Sequence, residues 1–224
     1  MSTATHTRIN TGLLANAEKR LLIWIAERLP SWVHSDHLTA LGLAAMAGAG
    51  LSFWWMATDP VVGASLVALC LALNWFGDSL DGTLARVRQQ LRPRYGYYVD
   101  HVIDLAGTAM LFVGLAASGF MSQTVAVLVV AAFFLVSAES YLAAHARGIF
   151  KMSFLGIGPT ELRILLTAGA FVAAVKPVVA PFGIVEVLLF DLGGMVGVAG
   201  MVMTFLITSS VNARALFLEE TIRP

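Results

Sequence analysis

The sequence predicts an all-α integral membrane protein: a six-transmembrane-helix bundle preceded by an amphipathic interfacial helix. Three observations predict it. Of the 224 residues, 58% are apolar and 12% charged, against roughly 45–50% and about 25% in soluble domains. The mean hydropathy is +0.80, and six apolar segments of bilayer-crossing length follow one another. Cationic residues gather in alternate connections, as the positive-inside rule requires. Fourteen Lys and Arg balance fourteen Asp and Glu, which removes any case for bulk nucleic-acid binding. The single cysteine, Cys70, lies in an apolar run, so disulfides and a cysteine-based metal site are both excluded.

Residues 1–12 are polar, and Glu18, Lys19, Arg20, Glu27 and Arg28 interrupt the next stretch. A signal peptide needs an uninterrupted apolar core, so this is not one. Leu14, Leu21, Leu22, Ile25 and Leu29 recur near helical spacing beside Trp24, and Pro30 stops the run. This reads as a helix in the membrane interface, packed against the bundle or not. The chain thus divides into a cytoplasmic segment 1–37, a six-helix membrane domain 38–213 and a cytoplasmic tail 214–224. The six spans fall at about 38–57, 62–86, 97–120, 123–146, 160–178 and 187–213. Turn residues separate several of them: Asp59-Pro60, Gly156 to Pro159, and Pro177 to Gly183. The break between the third and fourth, Gly119 to Gln123, is the weakest.

Thirteen of the fourteen Lys and Arg fall before span one, between spans two and three, around the four-to-five turn, or after span six; Lys176 is the exception. That pattern puts both termini in the cytoplasm. No internal repeat or soluble second domain is visible. Gly193 and Gly197, at GxxxG spacing, read as close helix packing within the chain, with a homodimer contact as the alternative. Met195, Met201 and Met203 read as core, and Trp32, Trp54 and Trp55 as interfacial belts.

Ionisable residues at membrane depth are costly and mark function by default. They concentrate at the end of span two and the start of span three. Asp78 and Asp81 stand three apart, Asp100 and Asp104 four apart, so each pair shares a helix face. Two antiparallel helices with a short connection bring the pairs together. Four unneutralised carboxylates would repel strongly in a low dielectric. A hard divalent cation resolves that, and an all-oxygen donor set suits Mg²⁺, Mn²⁺ or Ca²⁺ rather than zinc. Gly82 and Ala85 would let a ligand approach the helix, and Arg86 offers a cation for a phosphate. Together these point to a metal-bound diphosphate at the cytoplasmic end of the bundle.

The run Asp78-x2-Asp81-Gly82-x2-Ala85-Arg86, then Gly96-x3-Asp100-x3-Asp104, resembles the signature of the CDP-alcohol phosphotransferases, membrane enzymes of phospholipid synthesis. All eight fixed positions are present. Nine residues separate Arg86 from Gly96, where the family usually has eight, which lengthens the connection. The resemblance implies that a CDP-linked donor, either CDP-diacylglycerol or a CDP-alcohol, gives its substituted phosphate to a hydroxyl acceptor and CMP leaves. It implies Asp78, Asp81 and Asp100 as metal ligands, with Asp104 at the edge of a site for two Mg²⁺ or Mn²⁺. Gly82, Ala85 and Arg86 would contact the CDP part. Asp104 is the usual candidate for general base.

His101 is the second candidate base. Asp100-His101 resembles the Asp-His pair of the choline and ethanolamine phosphotransferase branch, in which diacylglycerol is the acceptor. Glu161 resembles a glutamate of the same branch that could orient the imidazole. Glu139, Arg147, Lys151, Glu161 and Arg163 are candidate acceptor-binding residues, since a basic cluster could hold a phosphorylated acceptor. For Arg147, Lys151 and Arg163 topology-setting charge is the plainer reading, and Glu139 could pair with His145 or Arg147. An ion-coupled carrier using the buried acids is the alternative from another class. The acids' place at the cytoplasmic end and the missing inverted repeat count against it.

Overall fold

The computed structural model describes residues 7–9, 15–151 and 158–220. Among them run seven α-helices: α1 (Ala15–Arg28), α2 (Ser35–Trp55), α3 (Pro60–Val87), α4 (Pro93–Ala117), α5 (Gln123–Arg147), α6 (Pro159–Val175) and α7 (Leu189–Glu219). Helices α2 to α7 coincide with the six expected spans. Five of these are long and apolar enough to cross a membrane. The other, α6, has 17 residues and so is about 25 Å long, at the lower limit for a span. The parts of the N-terminal segment and of the Gly156 to Pro159 turn that precede Ala15 and Gly158, Leu14 and Gly156 included, lie outside the described residues, apart from residues 7–9.

Local chemistry sets the helix ends. Asp59 accepts a hydrogen bond from Val62 N at 3.0 Å, with Pro60 at the first helical position of α3. Ser122 caps α5 in the same way at 3.3 Å. Its own N–H donates to Asp191 of α7 at 2.7 Å, so the weakest break in the sequence is tied down from outside. Gly148 ends α5 in the left-handed conformation, φ 68°. Two small strand pairs were not foreseen. β1 (Thr7–Ile9) runs parallel to β2 (Ile149–Lys151), and β3 (Val178–Val179) pairs antiparallel with β4 (Val187–Leu188).

Helix α2 is the centre of the bundle, packed against both α3 and α4; α3 also meets α1 and α6, and α5 meets α4 and α7. Glycines bring the backbones together, as in other membrane bundles. A Cβ on Gly77 of α3 would lie 2.5 Å from Leu38 O and 2.8 Å from Gly42 N of α2. Gly50 of α2 and Gly114 of α4 are closer still, backbone against backbone. The larger apolar core, around Phe53, Met56, Leu71, Leu111, Leu115 and Phe190, fills the end where α2 and α4 finish. A second cluster, Leu22, Ala26, Leu38, Leu80 and Leu84, seats α1 on α3 at the opposite end. Helix α1 therefore buries one face on the bundle while Leu21 and Trp24 stay exposed, the two sides an interfacial helix needs.

Helix α7 corrects two expectations. A Cβ on Gly193 or Gly197 would meet nothing within 4 Å, so they pack no helix of this chain; Gly194 does, facing Val125 and Met121 of α5. Met195 and Met203 are about half exposed, and Met201 is the one that packs on the core. Helix α7 is apolar nearly all round, so its sequence carries little signal for which side faces protein.

Candidate active site

Helices α3 and α4 both pack on α2, and α6 packs on α3. This brings one carboxylate oxygen each of Asp78, Asp100 and Asp104 within 4.8 Å of one another. Asp78 and Asp100 are half-buried and Asp104 is the exposed member. Arg163 of α6 contacts the group directly: its Nη2 donates to Asp78 Oδ2 at 2.5 Å. One guanidinium against three carboxylates leaves an excess of negative charge and an oxygen-only donor set, which fits a hard divalent cation.

Asp81 faces α2. Its Oδ2 accepts from Thr39 Oγ1 at 2.7 Å, its Oδ1 from the N–H of Gly82 at 2.5 Å, and its carbonyl from Ser35 Oγ at 3.0 Å. Asp81 is not among the three residues whose oxygens converge. Gly82 opens onto space, since a Cβ there would meet nothing within 4 Å. Ala85 is buried, and Arg86, exposed at the end of α3, donates to Thr83 Oγ1 at 3.0 Å.

The His101 ring is buried between Tyr97 and Tyr141, with centroids 4.1 and 4.8 Å away. Its Nδ1 pairs with the carbonyl of Tyr97 at 2.6 Å. A carbonyl only accepts, so Nδ1 carries a proton. Asp100 Oδ2 lies 4.0 Å from the same Nδ1. Glu161 Oε2 accepts from Gly158 N at 2.9 Å, closing the N-terminus of α6.

The expected basic cluster is divided. Arg163 is committed to Asp78. Arg147 Nη1 donates to Asn212 Oδ1 at 2.6 Å, and Asn212 Nδ2 donates to the buried Glu139 Oε1 at 2.6 Å. Glu139 and Arg147 thus meet through a residue of α7, on the α5–α7 interface. The side chain of Lys151 lies outside the described residues. Sequence reasoning did not single out Asn74, Thr39, Tyr97, Tyr141 or Asn212. Asn74 had a usable signal, a lone amide inside the run Ala68 to Phe76; Thr39 had none.

The connection from α3 to α4 joins the site to the N-terminal segment. Arg88 donates to the carbonyls of Leu29, Pro30 and Val33 at 2.9, 2.9 and 2.5 Å. Arg92 pairs with Asp36 at the start of α2. The lengthened connection carries both contacts.

An apolar helical bundle with convergent carboxylates at one end defines a helical membrane protein with an acidic centre at that end. The CDP-alcohol phosphatidyltransferase family matches residues 32–209. The chain belongs to that family and is a phosphotransferase of phospholipid synthesis, not the ion-coupled carrier that the acids also allowed. Its fold is similar to that of the Mycobacterium tuberculosis phosphatidylinositol phosphate synthase, solved with CDP-DAG bound. The TM-score is 0.64 and the identity 20%, over 86% of this chain and 94% of that one. No curated protein matches the chain.

Proposed function

We propose that the protein transfers the substituted phosphate of a CDP-linked donor to a hydroxyl acceptor, releasing CMP, at the cytoplasmic face of the membrane. The convergence of Asp78, Asp100 and Asp104 from two helices carries this reading. With Asp81 they would hold two Mg²⁺ or Mn²⁺ ions. Bound metal neutralises charge on the diphosphate and on the leaving CMP. Gly82 gives the donor access to the end of α3 beside the buried Ala85, and Arg86 supplies a fixed cation for its phosphates. The acceptor oxygen attacks the phosphorus bearing the alcohol substituent. The bond from that phosphorus to the CMP oxygen breaks, and the hydroxyl proton passes to a base.

Asp104 is the better placed base, because its carboxylate belongs to the convergent group while the His101 ring is enclosed by two tyrosines. Asp104→Asn is expected to lower CMP release by about 10²–10⁴-fold. His101→Ala is expected to lower it by less than about tenfold, with Mn²⁺ binding measured in parallel. The reverse order would make His101 the base.

A groove of about 460 Å³ between α3 and α6 is lined by Leu71, Ala72, Trp75, Arg163, Ile164 and Thr167. It would take an acyl chain of the lipid substrate, since its lining is mostly apolar and includes Arg163, which reaches Asp78. Both termini lie in the cytoplasm, where thirteen of the fourteen cationic residues fall. The test is CMP release by purified protein in lipid nanodiscs, with Mg²⁺ or with EDTA. CDP-diacylglycerol, CDP-ethanolamine and CDP-choline are each offered with a pool of acceptors, and Asp81→Asn is the control. Metal-dependent release from one donor class, lost in Asp81→Asn, is expected. Release indifferent to EDTA, or silence with every donor, would overturn the proposal.

A further inference from the structure

Asn74 lies one helical turn before Asp78, inside α3 and almost fully buried. An amide in that position is costly unless both of its ends are bonded. Both are. Its Nδ2 donates to Gly42 O of α2 at 2.9 Å, and its Oδ1 accepts from Arg163 Nε of α6 at 2.7 Å. The same guanidinium uses Nη2 to reach Asp78 at 2.5 Å. One side chain therefore spans three helices, and its far end fixes the cation that touches the acidic centre. The partners also fix the amide orientation, because a carbonyl needs a donor and a guanidinium needs an acceptor.

A flexible arginine beside three carboxylates could swing between them and compete with a divalent cation for the same oxygens. Holding Nε leaves the planar fork one direction in which to point. From this geometry we propose that Asn74 is a positioning residue: it aims Arg163 at Asp78 alone and keeps the remaining carboxylate oxygens for metal. The inference rests on the metal-dependent reading above. Leucine at position 74 would keep the volume while removing both hydrogen bonds. Gly42 O lies within α2, where the helix ladder supplies it with another partner, so the fold does not depend on the amide.

The test is direct Mn²⁺ binding, by electron paramagnetic resonance and calorimetry, to full-length protein in nanodiscs, alongside CMP release. Asn74→Leu is expected to weaken Mn²⁺ binding by about tenfold. It should raise the metal concentration for half-maximal rate by a similar factor. The rate at saturating metal should fall by less than about threefold. In an Arg163→Ala background the same substitution should change Mn²⁺ binding by less than twofold, since Asn74 acts through Arg163. A purely structural residue would instead weaken binding equally in both backgrounds. Asn74→Ala serves if the leucine variant does not fold, with the same direction expected. Unchanged Mn²⁺ binding in the single variant, or an equal loss in both backgrounds, would overturn the positioning role alone. A wild-type protein that binds no Mn²⁺ would overturn the functional reading and this role with it.

Discussion

Replacing Asp100 with asparagine is expected to lower metal-dependent CMP release by roughly 10³-fold and to remove most Mn²⁺ binding. Asp100 is one of the two members that α4 contributes, and its oxygen converges with those of Asp78 and Asp104. Asparagine keeps the size and one acceptor oxygen but loses the charge that makes the site attractive to a hard cation. Asp36→Asn is the control. That residue is a half-exposed aspartate paired with Arg92 outside the group, and its loss should change the rate by less than about twofold, as for exposed ion pairs generally. Comparable losses in the two variants would mean that general electrostatics, not a discrete site, sets the rate. Asp81→Asn completes the series. The motif makes Asp81 a ligand, whereas the structure gives its carboxylate a hydrogen bond from Thr39, and a loss matching that of Asp100→Asn would place it with the metal-binding set.

The second large effect concerns folding. Gly114→Leu is expected to destabilise the bundle by about 3 kcal/mol or more. A Cβ at this position would press into the backbone of Gly50, including its carbonyl oxygen. Rigid backbone cannot yield as a flexible side chain would, so α2 and α4 would have to separate. The acidic centre depends on the same helix pair, because α4, which carries Asp100 and Asp104, and α3, which carries Asp78, both pack on α2. Thermal unfolding in detergent should show the loss, and Gly197→Ala should leave Tm unchanged or slightly raised. Gly197 faces open space, and alanine is the better helix former. Equal Tm values for Gly114→Leu and wild type would contradict the close α2–α4 contact.

By itself the sequence determined the class of the protein, the order of its helices and where its acidic residues gather. Hydropathy and charge act locally, so six apolar segments and a polar start can be read residue by residue. Spacing of three and four placed Asp78 with Asp81 and Asp100 with Asp104, because helix geometry is fixed once a helix is granted. The tertiary structure decided which of these residues meet. Asp78, Asp100 and Asp104 converge, while Asp81 turns to α2. Arg163 finds Asp78 from 85 positions away and Asn74 from 89, and Arg147 finds Asn212 from 65. No periodicity encodes such pairs. Each arises from how one helix is rotated against its neighbour, and those rotations are set by glycine contacts such as Gly42–Gly77 and Gly50–Gly114 that only the packed bundle reveals. The outward turn of Gly193 and Gly197 has the same cause: on a helix apolar nearly all round, the packing partner, not the sequence pattern, chooses the buried face.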